Sequence, residues 1–190
     1  MSPFSLMRQQ HGYTLVELVV VSGIVAVLAA IALPGSNPPQ YEKLELAAAK
    51  VAEVLRFARA ESIRTGEVHG VQLFGDWERL IVSVADMTLD TPYPDKTPAN
   101  PLSIVYDPIS LQRFDIDLSQ SSTRGVDLDT NPFKFSVGGR DSVLFDAHGM
   151  PFQKDSGSMG QLEEGAIKIE LGAHRLDVTL APFTGRVTIE

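Results

Sequence analysis

The chain has 190 residues, a formal net charge of −8 and no cysteine. This length fits one domain with an appendage, and the ordinary share of apolar and charged residues is typical of a folded chain rather than a disordered one. The missing cysteine excludes a disulfide, a thiolate zinc site and a cysteine nucleophile. The acidic balance argues against a general nucleic-acid binder, which needs a basic surface to displace counterions from phosphates.

The apolar residues are concentrated near the N-terminus. Residues 13–33 read YTLVELVVVSGIVAVLAAIAL, in which Glu17 is the only charged residue. As a helix this segment is about 31 Å long, close to the thickness of one hydrocarbon core. A secretory signal peptide has a shorter apolar run before a small-residue cleavage site, and a plain membrane anchor leaves Glu17 unexplained. The leader at residues 1–12 carries Arg8 and no acid, which favours a cytoplasmic leader and places the rest of the chain on the far side.

The stretch GYTLVEL at residues 12–18, followed by the apolar run and Pro34, resembles the class III signal of type IV pilins and type II secretion pseudopilins. The resemblance implies that a prepilin peptidase cuts after Gly12 and that Tyr13 becomes the N-methylated new terminus. The usual residue at this place is Phe, so Tyr13 keeps an aromatic ring. Glycine at the cut leaves the backbone accessible to the peptidase.

Glu17 closely follows the new terminus that this cut creates. A carboxylate in hydrocarbon costs roughly 3 kcal/mol, so it seeks a partner. The partner that the resemblance implies is the cationic amine of Tyr13 on a neighbouring subunit, and such a pair would fix the axial register of a subunit entering a filament. The alternative is that Glu17 only reaches the lipid headgroups and is tolerated there.

Beyond residue 33 the sequence predicts a break and then a second helix. The run PGSNPP at 34–39 interrupts the first helix, because proline removes backbone donors and disfavours helix in the residue before it. Residues 40–65 repeat apolar side chains at three- and four-residue spacing, which predicts an amphipathic helix with Gly66 as its left-handed C-cap. Leu46 and Phe57 lie opposite this stripe. They are either tolerated surface residues or contacts to the helices of neighbouring subunits.

From residue 68 onward the apolar residues alternate with a period of two, which predicts strands. The first two strands flank GDWER at 75–79 and form a hairpin, and the polar stretches 86–101 and 119–131 are predicted loops. The predicted strands are 68–74, 80–85, 102–106, 114–118, 133–137, 143–145, 166–171, 176–180 and 186–189. The fold class is therefore α+β: a hydrophobic pilin-type N-terminal helix that continues, through a Pro/Gly break, into an amphipathic helix packed on antiparallel sheet.

Further segments resemble GspH/FimT-type pseudopilins: ARAESIRTG at 58–66, VLFDAHGMP at 143–151, and LDV at 176–178 with TGRV at 184–187. The resemblance implies a minor pseudopilin of a type II secretion system, a structural subunit at the tip of a periplasmic pseudopilus or between tip and fibre. Residues 40–190 would form the periplasmic domain, and the chain would cross the inner membrane once. The implied partners are prepilin peptidase, other minor pseudopilins, the major pseudopilin, the inner-membrane assembly platform and inner-membrane lipid.

The sequence carries no pattern typical of a catalytic, nucleotide-binding or cofactor site, so no enzyme and no cofactor are predicted. The four histidines show no metal-ligand spacing. Asp127 and Asp129 resemble the opening of a calcium loop, but Pro132 stands where the loop glycine belongs. A polar turn is therefore predicted at this place rather than a metal site.

The alternative function is that of a FimT-like minor pilin that takes part in pilus assembly or binds DNA for uptake. Arg56, Arg59 and Arg64 lie close together on the predicted second helix and would supply its basic patch. Removal of Arg8 with the leader makes the mature chain still more acidic. The sequence therefore predicts a solvated basic face, and nucleic acid is not an expected partner.

Overall fold

The structure is a computed structural model that describes residues 14–32, 40–74, 78–90, 105–108, 111–120, 122–129 and 131–190. The chain divides into two compact units, residues 1–38 and 39–190. The predicted leader at 1–12 and the predicted Pro/Gly break at 34–39 lie outside the described residues.

The first unit contains helix α1, Leu15–Ala32. Its large apolar side chains between residues 15 and 28 are exposed, from 80% for Leu15 to 53% for Val21. Exposed apolar surface of this extent marks a contact with lipid or with another protein. Within the described stretches of the chain, no helix is both long enough and apolar enough to cross a membrane.

The second unit begins with helix α2, Gln40–Thr65, at the predicted bounds. One narrow face of α2 is buried, and the buried residues repeat at helical spacing. They are Leu44, Ala47, Ala48, Val51, Ala52, Val54, Leu55, Ala58 and Ser62. Gly66 ends the helix as predicted: its φ is +76°, and its N–H donates to the Ser62 carbonyl at 2.9 Å.

The remainder of this unit is antiparallel sheet, which confirms the predicted helix-on-sheet α+β class. The strands are β1 His69–Phe74, β2 Arg79–Val84, β3 Asp115–Asp117, β4 Asp127–Leu128, β5 Phe133–Phe135, β6 Gly138–Arg140, β7 Ser142–Phe145, β8 Pro151–Asp155, β9 Ser158–Leu171, β10 His174–Leu180 and β11 Val187–Ile189. Within the described residues they join in the order β11-β10-β9-β8-β7-β1-β2-β3, and β4 and β5 also pair with β9.

The core lies between α2 and the sheet. The buried face of α2 contacts β1, β2, β7, β9, β10 and β11. The largest fully buried side chains are Phe133 and Phe145, on β5 and β7. The predicted hairpin is confirmed, since β1 and β2 pair from His69 opposite Val84 to Phe74 opposite Arg79.

The long strand β9 corrects the sequence prediction, which contained only its second half, residues 166–171. Along residues 158–165 the buried positions are Gly160, Leu162 and Gly165, and glycine adds nothing to a hydrophobic pattern. A Cβ at Gly160 would lie 2.5 Å from Val137 Cγ2, and one at Gly165 would lie 3.0 Å from Leu180 Cβ. Side chains of neighbouring strands therefore fill the space over Gly160 and Gly165. Because these positions are glycine, this part of β9 lacks the alternation of apolar residues from which strands are predicted.

Several shorter predictions were also wrong. β8, which begins at Pro151, and β6, at residues 138–140, were not predicted, because proline and glycine pairs usually mark turns. The predicted loop 119–131 contains β4 at residues 127–128. The predicted strand 102–106 is described only at its end, where Tyr106 makes an isolated bridge to Arg113.

The two apolar residues predicted opposite the α2 stripe have different surroundings. Leu46 is 40% exposed, as expected for a surface residue. Phe57 stacks on Phe114, with ring centroids 3.9 Å apart, and packs against the chain's own core. The loop before β3 thus supplies a partner for Phe57 within the chain itself, which the sequence did not predict.

The buried stripe predicts a sharp contrast between two leucines on α2. Leu55→Ala leaves a cavity and should lower the free energy of unfolding by about 2–5 kcal/mol. Leu46→Ala, the matched control at an exposed position, should change it by less than about 0.5 kcal/mol. Urea unfolding of the full chain in non-ionic detergent, followed by circular dichroism, checks both values. Equal losses would contradict the assignment of the buried face.

Candidate assembly site

The predicted processing and assembly residues fall mostly outside the described stretches. Gly12, Tyr13 and Pro34 are not among the described residues. Glu17 is described: it lies in the first turn of α1, and its side chain is exposed. Helix α1 begins at Leu15, so the bond predicted to be cut precedes the helix.

Thr14 is a residue of this segment that the sequence analysis missed. Its Oγ1 accepts a hydrogen bond from the Glu17 N–H at 3.2 Å, and its carbonyl accepts one from the Leu18 N–H at 3.1 Å. This is the N-cap arrangement, in which a threonine satisfies a helix donor that has no partner within the helix. The spacing Thr-x-x-Glu is the sequence signal that could have found it.

Arg59 holds together three segments that are far apart in the sequence. Its Nε donates to the Gly149 carbonyl at 3.2 Å and to the Thr184 carbonyl at 3.0 Å. We refer to Arg59, Gly149, Thr184 and Gly185 as the Arg59 junction. Each of the stretches 58–66, 143–151 and 184–187 contributes at least one of these residues, so three of the segments that resemble GspH/FimT-type pseudopilins meet there.

Two tight turns present their carbonyls to Arg59. In the first, Asp146 Oδ1 accepts hydrogen bonds from the N–H groups of His148 and Met150, at 2.9 and 2.8 Å. The second is closed by the Gly185 N–H, which donates to the Ala181 carbonyl at 2.9 Å. Asparagine and aspartate favour such turns because their side chains bond to the following backbone.

The second turn leaves no space for a side chain at Gly185. A Cβ there would lie 2.3 Å from the Gly149 carbonyl oxygen and 2.9 Å from Arg59 Nε. Its φ of +61° is in addition a conformation that other residues rarely adopt. Glycine is therefore required at this position by close approach as well as by backbone conformation.

The predicted solvated face of three arginines is confirmed in part, since Arg56 and Arg64 are exposed and Arg59 is half-buried. Arg56 Nη2 donates to the Val187 carbonyl at 3.1 Å, and Arg59 is bound as described above. Arg64, whose side chain is 68% exposed, pairs with Glu61 on the same helix. The hydrogen bond from Arg64 holds the pKa of Glu61 below its ordinary value.

Several cations of the second unit are paired with carboxylates. Six described lysine or arginine side chains form such ion pairs: Arg64–Glu61, Arg79–Asp115, Lys134–Glu164, Arg140–Asp155, Lys168–Asp129 and Arg175–Asp177. The hydrogen bond from Arg175 lowers the pKa of Asp177. Arg56, Arg59 and Arg186 are in none of these pairs.

The residues weighed as metal ligands are engaged elsewhere. Asp129, of the calcium-like pattern, pairs with Lys168 at 3.3 Å, and Asp127 belongs to strand β4. His69 is buried, and its Nδ1 lies 3.0 Å from the Glu67 carbonyl. Among the residues that the structure describes, no three histidine or acidic side chains are grouped to hold a metal ion.

Comparison with known proteins identifies the N-terminal segment. Residues 7–33 match the family model described as the prokaryotic N-terminal methylation motif, which confirms the predicted pilin-type signature at 12–18. No curated protein sequence matches the chain.

Three solved structures are similar to the chain. The type IV minor pilin FimU of Pseudomonas aeruginosa PAO1 is similar in two crystal forms. In the first it is 17% identical with a TM-score of 0.48, covering 77% of this chain and 87% of FimU. In the second it is 15% identical with a TM-score of 0.47, covering 77% and 91%. The minor pseudopilin EpsH of the Vibrio cholerae type 2 secretion system is 15% identical with a TM-score of 0.46, covering 78% of this chain and 96% of EpsH.

The Arg59 junction generates a prediction about glycine. Gly185→Ala should lower the free energy of unfolding by about 2–4 kcal/mol, because the new Cβ meets the Gly149 carbonyl and Arg59. Gly157→Ala is the matched control: its φ is +81°, but nothing lies within 4 Å of the added Cβ. It should cost only about 1 kcal/mol, the price of the left-handed backbone alone. Urea unfolding midpoints of the two variants test this difference, and equal midpoints would refute the close approach.

Proposed function

We propose that the chain is a structural subunit of a pilus-like filament, and within that class a minor pseudopilin of a type II secretion system. The observation that carries the proposal is the N-terminal methylation motif at residues 7–33. The second unit supports it as a separate compact unit with its own core, able to select partners at the surface of a filament. This role requires no catalytic group, and mechanical work would come from other proteins of the assembly.

Processing is the first step of the proposed function. A prepilin peptidase cuts after Gly12, and the new terminal amine on Tyr13 is N-methylated. The Thr14 cap supports this assignment, because it starts helix α1 at Leu15 and leaves the cut bond ahead of the helix.

Before assembly, residues 13–33 anchor the subunit in the inner membrane. After assembly, the same residues form part of the core of the filament. The exposure of the apolar side chains of α1 supports this proposal, since lipid or neighbouring helices are needed to cover them. The domain of residues 40–190 then lies in the periplasm. It would contact other minor pseudopilins and the major pseudopilin, at the tip or between tip and fibre.

Glu17 is the proposed assembly residue. Its exposed carboxylate lies in the first turn of α1, where it can reach the Tyr13 amine of a neighbouring subunit. In apolar surroundings such a pair is retained only when both charges are present, because either one alone carries a large desolvation cost. The pair would therefore specify axial register as a subunit leaves the bilayer.

A FimT-like minor pilin that binds DNA is the second candidate. The arginines on α2 are the observation that favours it. Two of them, Arg56 and Arg59, donate to backbone carbonyls, which orients their guanidinium groups without neutralising their charge. The net charge of −8 counts against this candidate, since an acidic surface repels phosphates.

Processing is tested by substituting the glycine at the cut. Gly12→Leu should abolish cleavage, so that the chain keeps residues 1–12 and gains no methyl group. Gly23→Ala is the matched control within α1, where nothing lies within 4 Å of the added Cβ, and it should be processed normally. Intact-mass spectrometry of the membrane-extracted protein measures both. Loss of residues 1–12 from the Gly12→Leu protein would place the cut elsewhere.

The register pair is tested separately from processing. Glu17→Ala should be cut and methylated normally, but its cross-linking into the filament should fall by at least about tenfold, because the Tyr13 amine of the neighbour loses its counter-charge. Ser22→Ala is the control, since Ser22 Oγ only bonds to the Leu18 carbonyl of its own helix. Normal incorporation of the Glu17→Ala protein would discard the register pair and leave the processing proposal standing.

A further inference from the structure

Three arginines converge on one groove at the surface of the second unit. The groove has a volume of about 460 Å³, and it is lined by Arg56, Arg59, Thr184, Gly185, Arg186 and Val187. We refer to it as the arginine groove. Two of its cations come from one face of α2, and the third follows the turn that closes the Arg59 junction.

No carboxylate pairs directly with a cation of the arginine groove. Six other described cations form ion pairs, and the described residues supply no carboxylate within ion-pair distance of Arg56, Arg59 or Arg186. What distinguishes these three from other unpaired cations is that they line one groove. Three like charges at one place repel one another, and the overall charge of −8 offers many acids that could have been placed among them. The groove therefore holds three cations without a direct carboxylate partner among the described residues.

Two of the three guanidinium groups are fixed in position. Arg56 is held by the Val187 carbonyl, and Arg59 by the Gly149 and Thr184 carbonyls. These bonds use Nη2 of Arg56 and Nε of Arg59, so each guanidinium keeps further N–H donors for a ligand. A fixed guanidinium binds a carboxylate with less loss of side-chain entropy than a mobile one, and its fork geometry matches both carboxylate oxygens.

We propose that the arginine groove binds an acidic segment of a neighbouring protein subunit through its carboxylates. Charge complementarity favours this occupant over nucleic acid, because three guanidinium groups match one or two side-chain carboxylates. A nucleic acid would extend its closely spaced phosphates over the surrounding acidic surface. That the neighbour is another filament subunit rests on the proposed function, whereas the binding of an acidic segment does not.

The test uses the full chain in non-ionic detergent and a fluorescein-labelled polyglutamate peptide as the probe. Fluorescence anisotropy should show saturable binding at low ionic strength that weakens near 0.15 M salt, where charges are screened beyond about 8 Å. Arg186→Gln should weaken binding by about tenfold, the effect of one charge-assisted hydrogen bond. Arg186 is the residue of choice because its exposed side chain is not part of the Arg59 junction.

Arg124→Gln is the matched control, since Arg124 is an exposed arginine outside the groove and should leave peptide binding unchanged. Urea midpoints equal to that of the unsubstituted chain show that both variants are folded. A polyglutamine peptide of the same length should not bind.

Four results would overturn the proposal: no binding of polyglutamate, equal losses in the Arg186→Gln and Arg124→Gln proteins, equal affinity for inorganic phosphate, or tighter binding of a single-stranded oligonucleotide of the same charge that depends on Arg186. The last result would assign the groove to nucleic acid. None of them bears on processing after Gly12, so this inference and the proposed function fail independently.

Discussion

Burial of one narrow face of α2 is the interaction on which the second unit depends. Four of the nine buried residues of that face are alanines, at Ala47, Ala48, Ala52 and Ala58, and they alternate with larger apolar side chains that fill the core. The strands that contact it come from both ends of the domain, from β1 soon after the helix to β11 near the C-terminus. The buried face of α2 thus packs against strands that are far apart in the sequence. The polar contacts of the Arg59 junction lie at the edge of this packed face.

The Arg59 junction shows how a polar side chain completes this packing. Arg59 follows the last buried alanine of α2 and bonds to two turns that are far from it in the sequence. Its hydrogen bonds satisfy the carbonyl of Gly149, which is buried, and that of Thr184, which is exposed, and a buried carbonyl without a partner is costly. Gly185 permits the approach because it has no Cβ to meet the Gly149 carbonyl. Three segments that are far apart in the sequence, 58–66, 143–151 and 184–187, are therefore joined by one side chain, that of Arg59.

The charges of the arginines on α2 can be interpreted only together with their partners in the folded unit. A helix with Arg56, Arg59 and Arg64 resembles a basic face when it is viewed alone. In the folded unit Arg64 is paired with Glu61, while Arg56 and Arg59 are bound to carbonyls and joined by Arg186 from the other end of the chain. The result is a small, fixed cluster on an acidic protein. A cluster of this kind suits a few carboxylates of a partner better than a polyanion.

By itself the sequence determined the features that depend on local pattern. It contained the N-terminal methylation motif, the bounds of α2, the Gly66 cap and the first hairpin, because side-chain periodicity and capping are properties of neighbouring residues. Only the tertiary structure decided the partner of Phe57, the first half of β9 and the convergence of Arg59 and Arg186. Phe57 is covered by Phe114 from a distant loop, Gly160 and Gly165 are buried without any hydrophobic signal, and Arg186 reaches the groove only when β11 pairs beside α2. These contacts join residues far apart in the chain, and no pattern of adjacent residues encodes which of them will meet.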